Sequence, residues 1–221
     1  PKHQDGLPMV AVPIAYLSYN VDERDHYLLV MPEAPGKLLC DFIDETKNDP
    51  SKAANVRTAF YALGRQMANF QNRFAESVDS NEVLKKSISH GDLKCLNIFY
   101  DETKQQYTLI DNESMQRSLD NKVPRFIDNF RLLYGNLLTG EVGKPATILE
   151  GVDLKKWYPL TVKSFAEGYV DVFPVDKQAQ ALTELRKLID PDPLHFMLPS
   201  WAQIKSLYID PIFDELAAKY K

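Results

Sequence analysis

His90, Gly91, Asp92, Leu93, Lys94, Cys95, Leu96 and Asn97 place a carboxylate, an ammonium and a carboxamide within one short stretch, and Ile110-Asp111 follows after two brief apolar runs. Phosphoryl transfer to a hydroxyl asks for groups of these kinds. A carboxylate must orient the acceptor hydroxyl and take its proton, and oxygen ligands must hold the magnesium ions that neutralise a triphosphate. Asp92 suits the first task, and Asn97 and Asp111 suit the second.

The elements that must position these groups are legible around them. Asn97-Ile98-Phe99-Tyr100 is a short apolar run, Asp101 to Gln106 is polar and turn-like, and Tyr107-Thr108-Leu109-Ile110 is a second run. Two such runs around a polar turn predict a hairpin, which brings Asp111 back beside Asn97. The competing reading is an exposed loop that merely contains His, Asp and Asn, and the hairpin is the context that separates the two.

The segment resembles the kinase-like phosphotransferase superfamily, and within it the branch of aminoglycoside phosphotransferases and choline kinases. That branch has His-Gly-Asp where protein kinases have His-Arg-Asp, and this chain has His90-Gly91-Asp92. The branch also follows its Ile-Asp with an aromatic and a Glu; here Ile110-Asp111-Asn112-Glu113 keeps the Glu and replaces the aromatic by Asn112. Lys94, two positions beyond Asp92, is the habit of protein kinases, where it neutralises charge on the transferring phosphoryl group, and the resemblance implies His90 as a scaffold residue, since Asp92 takes the role of the base. The resemblance implies an α+β, protein-kinase-like fold: a mainly helical C-lobe with a small catalytic β-hairpin, preceded by only the last strands of an N-lobe. It implies residues 1–35 as the end of the N-lobe and hinge, and 36–221 as the C-lobe, with the catalytic loop at 90–97 and the metal-binding segment at 107–113. ATP and Mg2+ are the implied cofactors.

Under the same resemblance, Tyr27-Leu28-Leu29-Val30-Met31 reads as a buried strand leading into a hinge at Pro32-Glu33-Ala34-Pro35-Gly36. Met31 takes the gatekeeper position. Pro32 need offer only its carbonyl, which its missing N–H does not prevent, and Ala34 offers a backbone N–H to the adenine ring. An ordinary edge strand ending in a Pro-Gly turn fits the same text. Roughly Met9 to Tyr19 and His26 to Met31 form the two strands expected before the hinge. The sequence has no glycine-rich loop and no strand lysine ahead of Pro32. The expectation is a fragment whose small lobe is truncated, disordered or on another chain, with little catalysis by itself.

The remainder predicts helices. Lys37 to Thr46 is a short one, and Asp49-Pro50-Ser51 opens a longer one. In the longer helix Val56, Phe60, Leu63, Met67, Phe70 and Phe74 line one face, serving as core that supports the catalytic loop from behind. Asn112 to Lys122 borders the acceptor, with Arg117 and Arg125 as either acceptor contacts or solvated surface. A helix from Phe126 to Leu138 contains Asp128. That residue matches the acidic group with which many kinases hold the catalytic-loop backbone, and equally a first-turn residue favourable to the helix dipole. Leu154 to Phe173 contains Phe165-Ala166-Glu167-Gly168-Tyr169, similar to a Phe-x-x-Gly-Tyr fragment of some aminoglycoside phosphotransferases. Lys177 to Ile189 is amphipathic through Ala181, Leu182, Leu185 and Leu188, and Asp190-Pro191-Asp192-Pro193 ends it. Trp201 to Tyr220 predicts a further helix, broken near Pro211.

Bulk properties narrow the function classes. A chain of 221 residues, 44% hydrophobic and 26% charged, is of ordinary globular composition. A net charge of −5 and a pI near 5.4 argue against a nucleic-acid partner. No apolar run reaches the roughly 20 residues of a membrane span, and no basic-then-apolar leader opens the chain. Cys40 and Cys95 lack metal-ligand spacing; reduced thiols in a cytoplasmic protein are the expectation, with delivery into a host cytosol if it is an effector. Three classes stand: a phosphotransferase acting on a small hydroxyl-bearing molecule, favoured by Gly91 and Glu113; a protein or lipid kinase, favoured by Lys94; and a non-catalytic nucleotide-binding or scaffold protein, or a kinase-fold enzyme that transfers another group.

Overall fold

The structure is a computed structural model that describes residues 7–12, 14–75, 86–111, 115, 123–124, 149, 151–189 and 205–221. Among the described residues eight strands run in chain order: β1 (Met9–Val10), β2 (Ala15–Val21), β3 (Arg24–Val30), β4 (Lys37–Leu38), β5 (Lys86–Ser87), β6 (Ile98–Asp101), β7 (Gln106–Leu109) and β8 (Val123–Pro124). Helices are α1 (Leu39–Thr46), α2 (Ala53–Arg73), α3 (Leu154–Leu160), α4 (Val162–Val170), α5 (Val175–Ile189) and α6 (Asp210–Lys219). None of the described helices is long and apolar enough to cross a membrane.

A four-stranded sheet in the order β1-β7-β6-β4 carries the site. The β6–β7 hairpin is the expected one, pairing antiparallel from Ile98↔Leu109 to Asp101↔Gln106. β1 adds to β7 in parallel, and β4 adds to β6 antiparallel. The stretch from Met9 to Tyr19 is therefore not one strand. Pro13 stands between its two halves in the sequence, and proline cannot donate to a ladder. Met9–Val10 joins the catalytic hairpin's sheet, whereas Ala15–Val21 pairs with β3 in a separate two-stranded sheet.

That second sheet corrects the expectation of a buried hinge strand. Every position of β2 and β3 is exposed, Leu28 at 49% and Leu29 at 55% among them. A continuous apolar run anticipates cover on both faces, and two strands alone provide none. Their turn is tight, with Asp22 and Glu23 both at positive φ, and Asn20 Nδ2 donates across it to Asp25 Oδ1 at 2.9 Å.

α2 is the central support. Asp49 caps the turn ahead of it by accepting the Ser51 N–H at 2.9 Å, with Pro50 in the turn's first position. Val56, Phe60, Leu63, Met67 and Phe70 are buried as the periodicity requires. Phe74 departs from it: the helix ends at Arg73, and Phe74 is 40% exposed, packing edge-on against Phe70. The short helix expected from Lys37 begins instead at Leu39, because Lys37 and Leu38 pair with β6.

α4 crosses α2 where both present glycine. A Cβ on Gly64 would stand 2.8 Å from the Tyr169 nitrogen, and one on Gly168 would stand 2.8 Å from the Tyr61 carbonyl carbon. The glycine of the Phe165 to Tyr169 fragment thus permits close helix packing. Ala181, Leu182 and Leu185 of α5 are buried as expected, and the helix ends at Ile189. At the C-terminus a π-helical turn, Lys205–Ile209, gives way to α6, and Pro211 lies in the first turn of α6, which is the expected break.

Candidate active site

Backbone geometry sets the segment from His90 to Asn97 before any side chain acts. Gly91 sits at φ +84, and its N–H donates to Ser89 Oγ at 3.0 Å. Lys94 is extended, so neighbours alternate in direction. Leu93 and Cys95 are buried at 1% and 4%, anchoring the segment, while Asp92 and Lys94 stay half-exposed. Cys95–Asn97 then forms a 3-10 turn closed by Asn97 N–H to the Lys94 carbonyl at 2.8 Å.

Asn97 is the junction. Its main-chain carbonyl accepts from the Ile110 N–H at 3.0 Å, which sews the catalytic segment to the end of β7. Its side-chain nitrogen donates to the Asp92 carbonyl at 2.9 Å and to Asp92 Oδ2 at 3.2 Å, and reaches Asp111 Oδ2 at 3.4 Å. With the nitrogen so engaged, Oδ1 is the atom left for a cation. Asp111 is exposed and adopts φ +59, a left-handed conformation costly for most residues and tolerated by Asp. Such conformations concentrate at functional sites.

Lys94 Nζ lies 2.6 Å from Asp92 Oδ2. This hydrogen-bonded ammonium holds the Asp92 carboxyl below its ordinary value, with its charge and the Asn97 amide adding to the effect against partial burial. Asp92 is therefore ionised at neutral pH, as a base must be. His90 is fully buried, and its Nε2 stands 2.8 Å from the Ile110 carbonyl oxygen. A carbonyl can only accept, so Nε2 carries the hydrogen, and His90 ties its own segment to the residue before Asp111.

The hairpin is held from behind by groups that the apolar periodicity passed over. Tyr107 Oη donates to the Ala59 carbonyl at 2.7 Å, and Gln66 Oε1 accepts from the Tyr107 N–H at 3.0 Å and from Gln106 Nε2 at 2.9 Å. Outside the hairpin, Ser87 Oγ of β5 donates to the Gln71 carbonyl at 2.8 Å, and Tyr169 Oη of α4 donates to Gln71 Oε1 at 2.5 Å, so Gln71 ties both elements to α2. Gln66 and Gln71 are 5% and 0% exposed. Gln66 follows Leu63 by one helical step and Gln71 follows Met67, so polar residues on the apolar stripe were the available signal.

Asp92, Lys94, Asn97 and Asp111 thus meet in one cluster over His90. Met31, Pro32 and Ala34 stand apart from it in the linker between β3 and β4, with Met31 and Pro32 exposed and Ala34 half-buried. Asp128, Asn112, Glu113, Arg117, Arg125 and the helix expected from Phe126 lie outside the described residues. Cys40 and Cys95 are not joined in a disulfide, and burial raises the pKa of both.

An amide oxygen and a carboxylate fit a hard cation such as Mg2+, which keeps waters and phosphate oxygens as its other ligands. Among the described residues no three His, Cys, Asp or Glu gather as a self-sufficient metal cage. No protein-family model, curated protein or solved structure matches this chain.

Proposed function

We propose that this chain is the catalytic lobe of an ATP-dependent phosphotransferase that moves the γ-phosphoryl group to a hydroxyl of a small molecule. The observation that carries the reading is the Asn97 side chain, whose nitrogen bonds the Asp92 carbonyl and reaches Asp111 across the hairpin. One residue thereby sets the separation between the base and the cation-binding carboxylate.

Asp92 orients the acceptor hydroxyl and accepts its proton at Oδ1 or Oδ2 as the oxygen attacks in line. Lys94, resting on Asp92 at 2.6 Å, is within reach of the phosphoryl oxygens that gather charge during transfer. Asn97 Oδ1 and the Asp111 carboxylate would hold magnesium, which supplies charge neutralisation of the phosphates when bound. His90 keeps Asp111 and Asp92 in register through Ile110. Met31, Pro32 and Ala34 would hold the adenine ring through main-chain groups. The phosphate-gripping loop and strand lysine are not in the 221 residues, so the reading assigns them to a segment outside these residues, and this chain alone should turn over little ATP.

Lys94 favours a second reading, a protein or lipid kinase, since its pairing with Asp92 follows the protein-kinase pattern. Magnesium-dependent ATP turnover by the full-length protein, with and without Asp92→Ala, across small alcohols, lipids and proteins, tests both. Turnover that collapses in the variant supports the phosphotransferase, and the panel that accelerates it selects the acceptor class. ATP binding with neither ADP nor AMP formed on any acceptor would remove the assignment.

A further inference from the structure

The residues read as holding adenine lie in the linker ahead of β4, those read as holding magnesium flank the β6–β7 hairpin, and a single main-chain seat connects the two. β4 follows the linker directly and pairs with β6 at Lys37↔Tyr100 and Leu38↔Phe99. β6 begins at Ile98, immediately after Asn97, and its partner β7 delivers Asp111. Gly36 stands where the linker enters β4, at φ +91. A Cβ there would overlap the Tyr100 carbonyl oxygen and lie 2.6 Å from the Asp101 nitrogen. The linker backbone therefore rests on the β6 backbone with no room for a side chain. Lys37 fastens the same seat from its other side, with Nζ 2.5 Å from Glu45 of α1 and 3.1 Å from Glu102 in the hairpin turn.

We propose that Gly36 is a positioning residue: it clamps the base-holding linker onto the strand that carries Asn97, so that both ends of one nucleotide are gripped by a single rigid unit. The role rests on the phosphotransferase reading above. Gly36 itself touches no substrate. A side chain at this position forces two changes together, a residue other than glycine at positive φ and a separation of β4 from β6. The linker then shifts relative to Asn97 and Asp111 while each grip stays intact. Misplacement on the scale of 1 Å is enough to cost about a hundredfold in positioning-dependent chemistry.

Gly151 provides the control, because it too has positive φ, +73, but a Cβ there meets nothing within 4 Å. Gly151→Ala carries the conformational strain without the displaced strand. The experiment measures binding of Mg2+–ATP, of ATP in EDTA and of adenosine to the full-length protein, as wild type, Gly36→Ala and Gly151→Ala, by calorimetry, with the melting temperature of each. The expected result is Mg2+–ATP affinity at least about tenfold weaker in Gly36→Ala, a smaller gain from Mg2+, and adenosine affinity near wild type. Gly151→Ala should melt lower yet bind all three as wild type does. Lys37→Ala, which removes the outer fastening and leaves the backbone alone, should weaken Mg2+–ATP up to about threefold, and serves if Gly36→Ala does not fold. Mg2+–ATP affinity unchanged in the variants, or adenosine affinity falling in step with ATP, refutes the positioning role alone. Wild-type protein that binds neither ATP nor adenosine refutes the phosphotransferase reading, and the role of Gly36 with it.

Discussion

Replacing Gly168 by alanine should destabilise the protein even though alanine is the better helix former. The crossing of α2 and α4 puts the added Cβ onto the Tyr61 carbonyl oxygen and 2.8 Å from the carbonyl carbon behind it. Carbon atoms in ordinary contact stand about 3.5–4.0 Å apart, so the helices must separate by close to 1 Å. Both obstructing atoms are main chain, and no rotamer change relieves them. Overpacking of this kind costs roughly 1–3 kcal/mol, and a backbone obstruction puts it toward the upper end. Alanine returns about 1 kcal/mol of helix propensity. The net loss is about 2 kcal/mol, or roughly 4–8 °C in melting temperature for a chain of this size. Because α2 also carries Ala59, Gln66 and Gln71, the shift should reach the hairpin through Tyr107 and β5 through Ser87. Calorimetry gives the stability change, and hydrogen exchange at the Tyr107 amide gives its reach. A melting temperature that is unchanged or raised would refute the packing argument. Gly64→Ala acts on the same crossing, so the double variant should lose less than the sum of the two.

Three further outcomes follow from the site. In Lys94→Met the Asp92 carboxyl should titrate closer to its ordinary value of 3.8, read by carbon-13 NMR. Because the folded pKa is the depressed one, the pair's contribution is complete above 3.8 and fades as pH falls through the folded pKa. Urea midpoints of wild type and variant should therefore converge below that pH, and the half-exposed pair holds their difference at neutral pH under about 1 kcal/mol. Tyr107→Phe removes the donor to Ala59 and should cost about 1 kcal/mol in urea denaturation at unchanged slope. Asp111→Asn should fold as wild type does, whereas Asp111→Val at φ +59 should lose about 1–2 kcal/mol; on the proposed reading both abolish magnesium-dependent turnover in the full-length protein.

Much of the site was legible because its geometry is local. The hairpin joining Asn97 to Asp111 needs only two apolar runs and a polar turn, and the exposed Asp92 and Lys94 alternate with the buried Leu93 and Cys95 on extended backbone. The α2 stripe was legible for the same reason, since periodicity is a property of neighbours. What escaped depends on long-range pairing. Nothing near Met9 announces a parallel partner at Thr108, and nothing near Lys37 announces Tyr100. Apolar text in β3 spoke for burial, but burial is decided by whichever layers cover a strand, and β2–β3 lies exposed on both faces. Gln66 and Gln71 escaped because a polar residue on an apolar stripe looks like an imperfection until its partner strand is known.

The division between the two halves of the site has a physical sense. Groups that would meet substrate, Asp92, Lys94 and Asp111, are half-exposed or exposed, and an isolated charge pair at such a surface contributes little to stability. Their placement therefore cannot come from their own attraction. It comes from buried and partly buried contacts one step behind: His90 on the Ile110 carbonyl, Asn97 on the Asp92 carbonyl, and Gln66 and Tyr107 between hairpin and helix. Each of these uses a main-chain group as one partner, so each fixes backbone and leaves the reactive side chains free to exchange partners. On the proposed reading, Lys94 can then leave Asp92 for a phosphate without loosening the segment that carries both.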